Sequence, residues 1–545
     1  MRSLLPSLTP RVSVLLLCAC GDGPVASTGT DATSSTGEPI TTSSSTSTGS
    51  SSSGVEPTTI GSLDDTTATS SPMDPPDLGP GLIPDLGTIE PPATCDGCAP
   101  TAPASLNDGA NEERNPGRDV AELPDGRGLA ASHYLADGRV TAAFFDPIAA
   151  TWETPDILRD AGEWNSIEYT TVAVVPTADG AVVVEDANGD VFAHDYDLGW
   201  GQAEFDAVPG YRYLLDVEPT PDGRVAALVS TTLDPFVGVG ALYVALFDPA
   251  AGEWSPDPVA LLDDPLRDID RATIAMASDD GDAVVAFASL PEVGNYPRTV
   301  ELHHYDSETE AWTLAHTLTD VEFFIPGVRE LEPGQFAYAA NIYGEVLRPF
   351  DEDLGVGDPI AARFPDDYAE GTMRSVEFGL EGYDGAATES LTYRSYSWDD
   401  PEGTTDVLDI PTPIETREVF AQDGRGYAYW TTNGATYDSY VAVHGPDGWA
   451  DPVLLGSATH AIFRSSIARN HDGDVVFAWT PGCFGGPCDG DPTSVAVYRE
   501  EATCWQPTLT FDGAFDARAY PFSTTRDFAL VTAVEGYVGR MLGCG

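Results

Sequence analysis

Arg271, Asp280-Gly281, Ala283-Val284-Val285-Ala286-Phe287, Tyr305-Asp306 and Trp312 form one unit of a pattern that returns about every fifty residues from Arg118 to the C-terminus. Its parts are an Arg, an Asp-Gly turn, a short Ala/Val strand, an aromatic followed by Asp, and a Trp. A unit of this size holds too little apolar surface to fold alone, so the units must pack side by side around a shared core. The aromatic-to-Trp interval is seven residues in Phe145 to Trp152, Phe247 to Trp254, Tyr305 to Trp312 and Tyr498 to Trp505. Asp-Gly alone carries little, because the pair also occurs outside the pattern at Asp108-Gly109 and Asp489-Gly490. The flank decides. Gly126, Gly180, Gly223, Gly281, Gly385, Gly424 and Gly473 each lead into a strand-like run, and Pro333-Gly334 and Arg526-Asp527 hold the place in two degenerate copies.

Each unit reads as four strands: one before the Asp-Gly turn, one after it, one ending at the aromatic-Asp pair, and one starting at the Trp. Gly and Asp suit a tight turn because they tolerate positive φ, and no helical period runs through the strands. Four short strands repeated at this interval make an all-β propeller. A chain of sandwich domains would need roughly 100 residues per domain, twice the observed period. The complete copies predict about eight blades, with seven to nine compatible with closure, because a short last unit after Arg518 lacks a fourth strand of its own.

The units resemble the kelch repeat. Phe247-Asp248-Pro249, then Trp254, Arg271 and Asp280-Gly281, follow its order of Tyr-Asp-Pro, Trp, Arg and a Gly turn, and weaker copies span Arg118 to Gly545. The Gly-Gly doublet that normally ends the kelch strand is missing: the matching places read Phe287-Ala288-Ser289 and Leu228-Val229-Ser230. The resemblance implies a propeller whose blade-joining face takes acidic partners.

The first hundred residues are different material. Arg2 and Arg11 precede a short apolar run, Val12 to Leu17, suited to a secretory signal and too short to span a bilayer. Leu17-Cys18-Ala19-Cys20-Gly21 resembles a bacterial lipobox, with Cys20 as the lipid site after the small Ala19. Two or more acyl chains would anchor the chain stably, and Gly21 in place of Asp favours the outer membrane. From Pro24 to about Pro92 the composition is Ser/Thr/Gly-rich and then Pro-rich, which cannot bury enough surface to offset ordering entropy. The expected division is a signal over 1–19, a tether over 20–112 and the propeller over 113–545.

The formal net charge is -63, and all 25 basic residues are Arg. Such a field repels nucleic acid and anionic headgroups as partners of the surface as a whole. With Cys18 and Cys20 assigned to the signal and the lipid site, the six cysteines that remain point to disulfides in an exported chain. The expected pairs are Cys95 with Cys98, Cys483 with Cys488, and Cys504 with Cys544.

Catalytic motifs are sparse: GxSxG, HExxH and the P-loop are absent, and the eight His follow no metal-ligand spacing. Asp268, Asp270, Asp366, Asp367 and His460 fall in loops where an enzyme would place its groups, without forming a recognisable set. Asp186, Asn188 and Asp190, with Asp195, resemble part of a calcium loop, although Asn188-Gly189 also reads as an ordinary hairpin turn. The strongest signal is Arg at one repeat position: Arg118, Arg212, Arg271, Arg329, Arg374, Arg417, Arg464 and Arg518 each sit at the start of a unit. They could form a partial ring of guanidinium groups that binds carboxylate, sulfate or phosphate. Alternatively, each could be neutralised by an Asp of the adjacent blade. The sequence therefore favours a monomeric, non-enzymatic envelope lipoprotein that binds a protein or an acidic glycan without a cofactor, with an exported hydrolase or oxidase as the alternative.

Overall fold

A computed structural model describes residues 99–543 apart from short stretches, the longest being 107–117, 161–170, 233–239, 291–297, 382–387 and 522–527. Cys20 and the segment around it lie outside the described residues. So do Cys95, Cys98, Cys488, Cys544 and the side chain of Cys483, so the expected cysteine pairings lie outside them as well.

The described residues are all-β, folded into nine antiparallel sheets. Successive blades occupy residues 118–159, 172–205, 211–262, 268–321, 327–356, 367–410, 414–458, 462–511 and 516–543. The blades number nine, within the expected seven to nine and one more than the eight complete copies. The last unit is a full blade because its missing fourth strand comes from elsewhere: Ala99–Pro100 and Ala104–Ser105 pair antiparallel with its outer strand, Tyr537–Gly543. The propeller sheet thus takes in residues ahead of position 113.

Nine apolar clusters fill the nine spaces between neighbouring blades. Val175, Phe205, Leu214 and Phe247 join blades 2 and 3, and Tyr427, Val443, Phe477 and Trp505 join blades 7 and 8. The closing cluster sets Leu106, Val120, Ala130 and Phe145 against Ala529 and Val531, so blade 9 packs on blade 1 and the ring is complete. Sheets stacked on both faces need side chains that are apolar at successive positions, and the second strand of blade 4, Ala283–Leu290, is buried at every residue.

The repeat elements behave as their chemistry requires. Phe145 and Trp152, Phe247 and Trp254, Tyr305 and Trp312, and Tyr498 and Trp505 are direct cross-strand partners between third and fourth strands. Their rings lie 5.1 to 5.4 Å apart, a favourable tilted contact. The Asp after the aromatic caps the connection: Asp248 Oδ1 accepts from the Ala250 and Ala251 amides, and Asp306 Oδ1 from Glu308 and Thr309. The first hairpin turn places Gly126, Gly223, Gly281, Gly334, Gly424 and Gly473 at positive φ, which is why glycine recurs there. Blade 6 differs from expectation. Its first turn is Glu370-Gly371, at φ 51° and 78°, whereas Gly385 lies outside the described residues between the second and third strands.

Candidate functional site

The shift in blade 6 moves one of the eight arginines. Arg374 lies in the second strand, Thr372–Glu381, not at the start of the unit. The other seven lie inside first strands, near their beginnings. Arg271, Arg417 and Arg464 each come directly after a register shift in the ladder with the second strand. Blade 2 has no equivalent, because 161–170, just before its first described strand, contains no Arg.

These arginines divide by environment. Arg212 is 9% exposed and its guanidinium donates to Asp190 Oδ1 at 2.5 Å and to the Phe205 carbonyl. Arg329 donates to the carbonyls of Pro365 and Asp366 at 3.2 and 2.8 Å, and burial holds its pKa below the ordinary value. Arg374 donates to Asp367 Oδ2 at 2.9 Å, and the same oxygen accepts the Gly424 amide of blade 7. These three are inter-blade or intra-blade ties, as the pairing reading expects. Arg118 and Arg464 also interact with neighbouring groups, and the Arg417 side chain lies outside the described residues. Arg271 and Arg518 make no hydrogen bond or ion pair among the described residues; Arg518 is exposed, and its charge offsets part of the burial that raises the Glu418 pKa. Arg417, Arg464, Arg518 and Arg118 occupy consecutive blades 7, 8, 9 and 1.

A second set of residues does the fastening; of these, Asp186 and Asp366 were candidates for other roles, and Asp119, Asp216 and Glu418 were not singled out from the sequence. Asp119 Oδ2 accepts the Val174 amide of blade 2 at 2.9 Å, and Asp186 Oδ2 the Leu214 amide of blade 3 at 3.0 Å. Asp216 Oδ2 accepts the Ile274 amide and the Thr273 hydroxyl of blade 4. Asp366 accepts the Val376 amide and a backbone bond from Ala421 of blade 7, and Glu418 accepts the Ser465 hydroxyl of blade 8. Each carboxylate reaches across to the following blade. Burial pushes Asp186 and Glu418 up to about 7, and Asp216 and Asp366 up to about 6, against the pull of those donors. The signal was present: Arg118-Asp119, Arg329-Glu330 and Arg417-Glu418 place an acid directly after the repeat Arg.

The remaining candidates do not converge. Asp186 and Asp190 hold backbone amides and Arg212 respectively, Asn188 lies outside the described residues, and no group of three His, Cys, Asp or Glu among the described residues could hold a metal. Asp366 and Asp367 are latch and ion-pair residues, and His460 bonds to the Thr459 hydroxyl. The side chains of Asp268 and Asp270 are outside the described set. Blade 2 contains the deepest charged cluster: Glu185, fully buried, takes a two-pronged bond from Arg159 at 2.8 Å and lies 3.0 Å from His194 Nε2. It fastens the outer strand 156–159 of blade 1 to blade 2.

No protein-family model matches the sequence, and no curated protein matches it. Among solved structures, the chain is similar to the WD40 domain of SCAP from fission yeast, at 11% identity and a TM-score of 0.39, over 82% of this chain and 98% of that one. It is also similar to an alpha-L-arabinofuranosidase from Fusarium graminearum, at 10% identity, a TM-score of 0.30, and 57% and 97% coverage. A Penicillium chrysogenum alpha-L-arabinanase complexed with arabinobiose gives 10% identity, a TM-score of 0.29, and 57% and 98% coverage.

Proposed function

We propose that this protein is a binding scaffold: a kelch-like propeller held at the cell envelope by lipid on Cys20, with an acidic ligand, glycan or protein, taken at Arg518 and Arg271. One observation supports this most. In a chain of net charge -63, with Arg as its only cation, Arg518 is exposed and Arg271 and Arg518 lack an ion pair among the described residues. An acidic body gains little from uncommitted guanidinium groups except where an anion is to be recognised. The enzymatic alternative needs convergent acid, base or metal groups, and the described residues bring none together.

The test is a titration with a defined polyanion, polygalacturonate, against the full chain. Replacing Arg271 and Arg518 together by Gln is expected to weaken binding at least about ten-fold with an unchanged melting temperature, and added salt weakens it further. Arg374→Gln has the opposite signature: it strands Asp367 and costs about 3 kcal/mol of stability while binding is kept. Binding unaltered in the double variant would remove the arginine face; release of reducing ends during the titration would favour the enzyme.

Anchoring has its own readout. Cys20→Ala is expected to move the protein from the membrane to the soluble fraction, and Cys18→Ala to leave it attached. A Cys20→Ala protein that stays with the membrane refutes the anchor.

A further inference from the structure

The repeat tryptophans reveal a fault at the seam that closes the ring. In three blades the indole N–H donates to the fourth strand of the preceding blade: Trp200 to Asp156 Oδ2 at 3.1 Å, Trp254 to the Ala203 carbonyl at 3.2 Å, and Trp449 to the Asp406 carbonyl at 3.1 Å. The three acceptors hold one place in the ladder. Asp156 pairs with Ala142, Ala203 with Ala193 and Asp406 with Tyr393, each three residues before the last aromatic of its third strand. Two residues further on, Leu158, Phe205 and Leu408 pack into the seam with the next blade. In blade 9 the same place falls to Ala104, paired with Gly539, and Leu106 follows it into the seam with blade 1.

The packing is kept there, and the hydrogen bond is not. Trp152 of blade 1, 6% exposed, has no partner for its indole nitrogen. Its ring lies so close over Gly539 that a Cβ there would stand 2.8 Å from Nε1 and 2.9 Å from Leu106 Cδ2. A buried donor without an acceptor forfeits its hydration without return. The resident strand is weak on other counts as well. Only Ala99, Pro100, Ala104 and Ser105 pair, the prolines at 100 and 103 have no amide to give a ladder, and the segment bears no charge. Beside it, Asp146 and Glu153 flank the Thr151-Trp152 step of a chain whose net charge is -63.

We propose that the outer edge of blade 9 is a strand-exchange site for an extended, basic segment of another protein. The incoming segment displaces 99–106 and pairs along Tyr537–Gly543, with an acceptor for Trp152 in the place of Ala104 and an aliphatic side chain in the place of Leu106. Edge addition of this kind draws affinity from main-chain bonds and specificity from alternate side chains. Over the resident strand, such a partner gains the indole bond and the attraction of its Lys or Arg flanks to the acidic body.

The probe is a fluorescein-labelled peptide with the sequence of residues 151–159 between Lys-Lys flanks, because that segment makes both contacts in blade 1, through Asp156 and Leu158. In anisotropy titrations of the full chain it is expected to bind, at a rate that levels off with rising peptide concentration because the resident strand must leave first. A peptide carrying Leu158→Asp should bind at least about ten-fold more weakly, and Gly-Ser flanks in place of Lys-Lys should weaken binding about ten-fold at low salt. In the chain, Ser105→Cys with Val538→Cys replaces a directly paired couple and ties the resident strand down; binding should vanish on oxidation and return on reduction. Replacing Arg271 and Arg518 by Gln should leave peptide binding unchanged, so failure at this edge and failure of the arginine site are separate results. Absence of binding to the reduced chain, equal binding of the Leu158→Asp peptide, or binding that survives oxidation of the cysteine pair overturns the proposal. A dimer of the full chain that the same oxidation abolishes also overturns it, making a second copy the occupant.

Discussion

A chain lacking residues 99–106 is expected to lose about 5 °C of melting temperature and to associate. The segment supplies the fourth strand of blade 9 and the side chain of Leu106, which is 2% exposed in the cluster that joins the last blade to the first. Removing one such side chain from a core costs about 2–5 kcal/mol, about 2–5 °C in a propeller of this length. Its loss also bares the outer strand of blade 9 as an open edge, the usual template for pairing with a second chain. Removing 515–545 goes further, since it takes away the three inner strands that face both neighbours, and should leave no cooperative unfolding transition. Scanning calorimetry with size-exclusion chromatography checks both. A melting temperature unchanged by either deletion would mean that the ring holds without closure.

Acidification is expected to stabilise this protein before it harms it. Asp186, Asp216, Asp366 and Glu418 are buried with pKa values of about 6 to 7, well above the ordinary carboxylate range. A carboxyl group whose folded pKa is raised adds stability that is complete below its unfolded pKa and drains away as pH rises through the folded one. Between pH 8 and pH 5 the sign is therefore opposite to that of a protein stabilised by salt-bridged acids. A group displaced by two to three pH decades contributes roughly 3 kcal/mol over that window. Fading self-repulsion of the acidic surface acts in the same direction. Below about pH 4 the groups held low, Asp222, Glu301 and Asp306, lose their partners' support and the trend reverses. Melting curves from pH 8 to pH 3 should pass through a maximum near pH 4. Asp216→Asn should flatten the alkaline limb while leaving the charge-repulsion part in place; a limb that is flat in the parent chain refutes the assignment.

The repeat was legible because its parts are local. An aromatic and a Trp seven residues apart can only be a cross-strand pair joined by a short connection, and glycine at the first turn follows from positive φ. What crossed between distant parts of the chain was not legible. The strand that completes blade 9 precedes its partners by more than 400 residues, and no periodicity in 99–106 marks it. In blade 6, Gly385 resembled the repeat turn and Gly371 did not, although only the latter sits at the hairpin. The site was half legible: the arginine column was visible, but whether each guanidinium meets a carboxylate depends on which blades face each other. Asp119 and Glu418 went unnoticed because an acid in so acidic a chain carries little information by itself.

The closing strand has a mechanical meaning. Ala99 continues directly into the chain that precedes the propeller, so tension on that chain is delivered to the outermost strand of the closing blade. Ala99 pairs with Gly543 and Pro100 with Leu542, and a load entering at Ala99 breaks these pairs one after another, as a zipper opens, rather than all at once in shear. The seam that shuts the ring is thus the first pairing to meet such a load, and its opening bares the edge of blade 9.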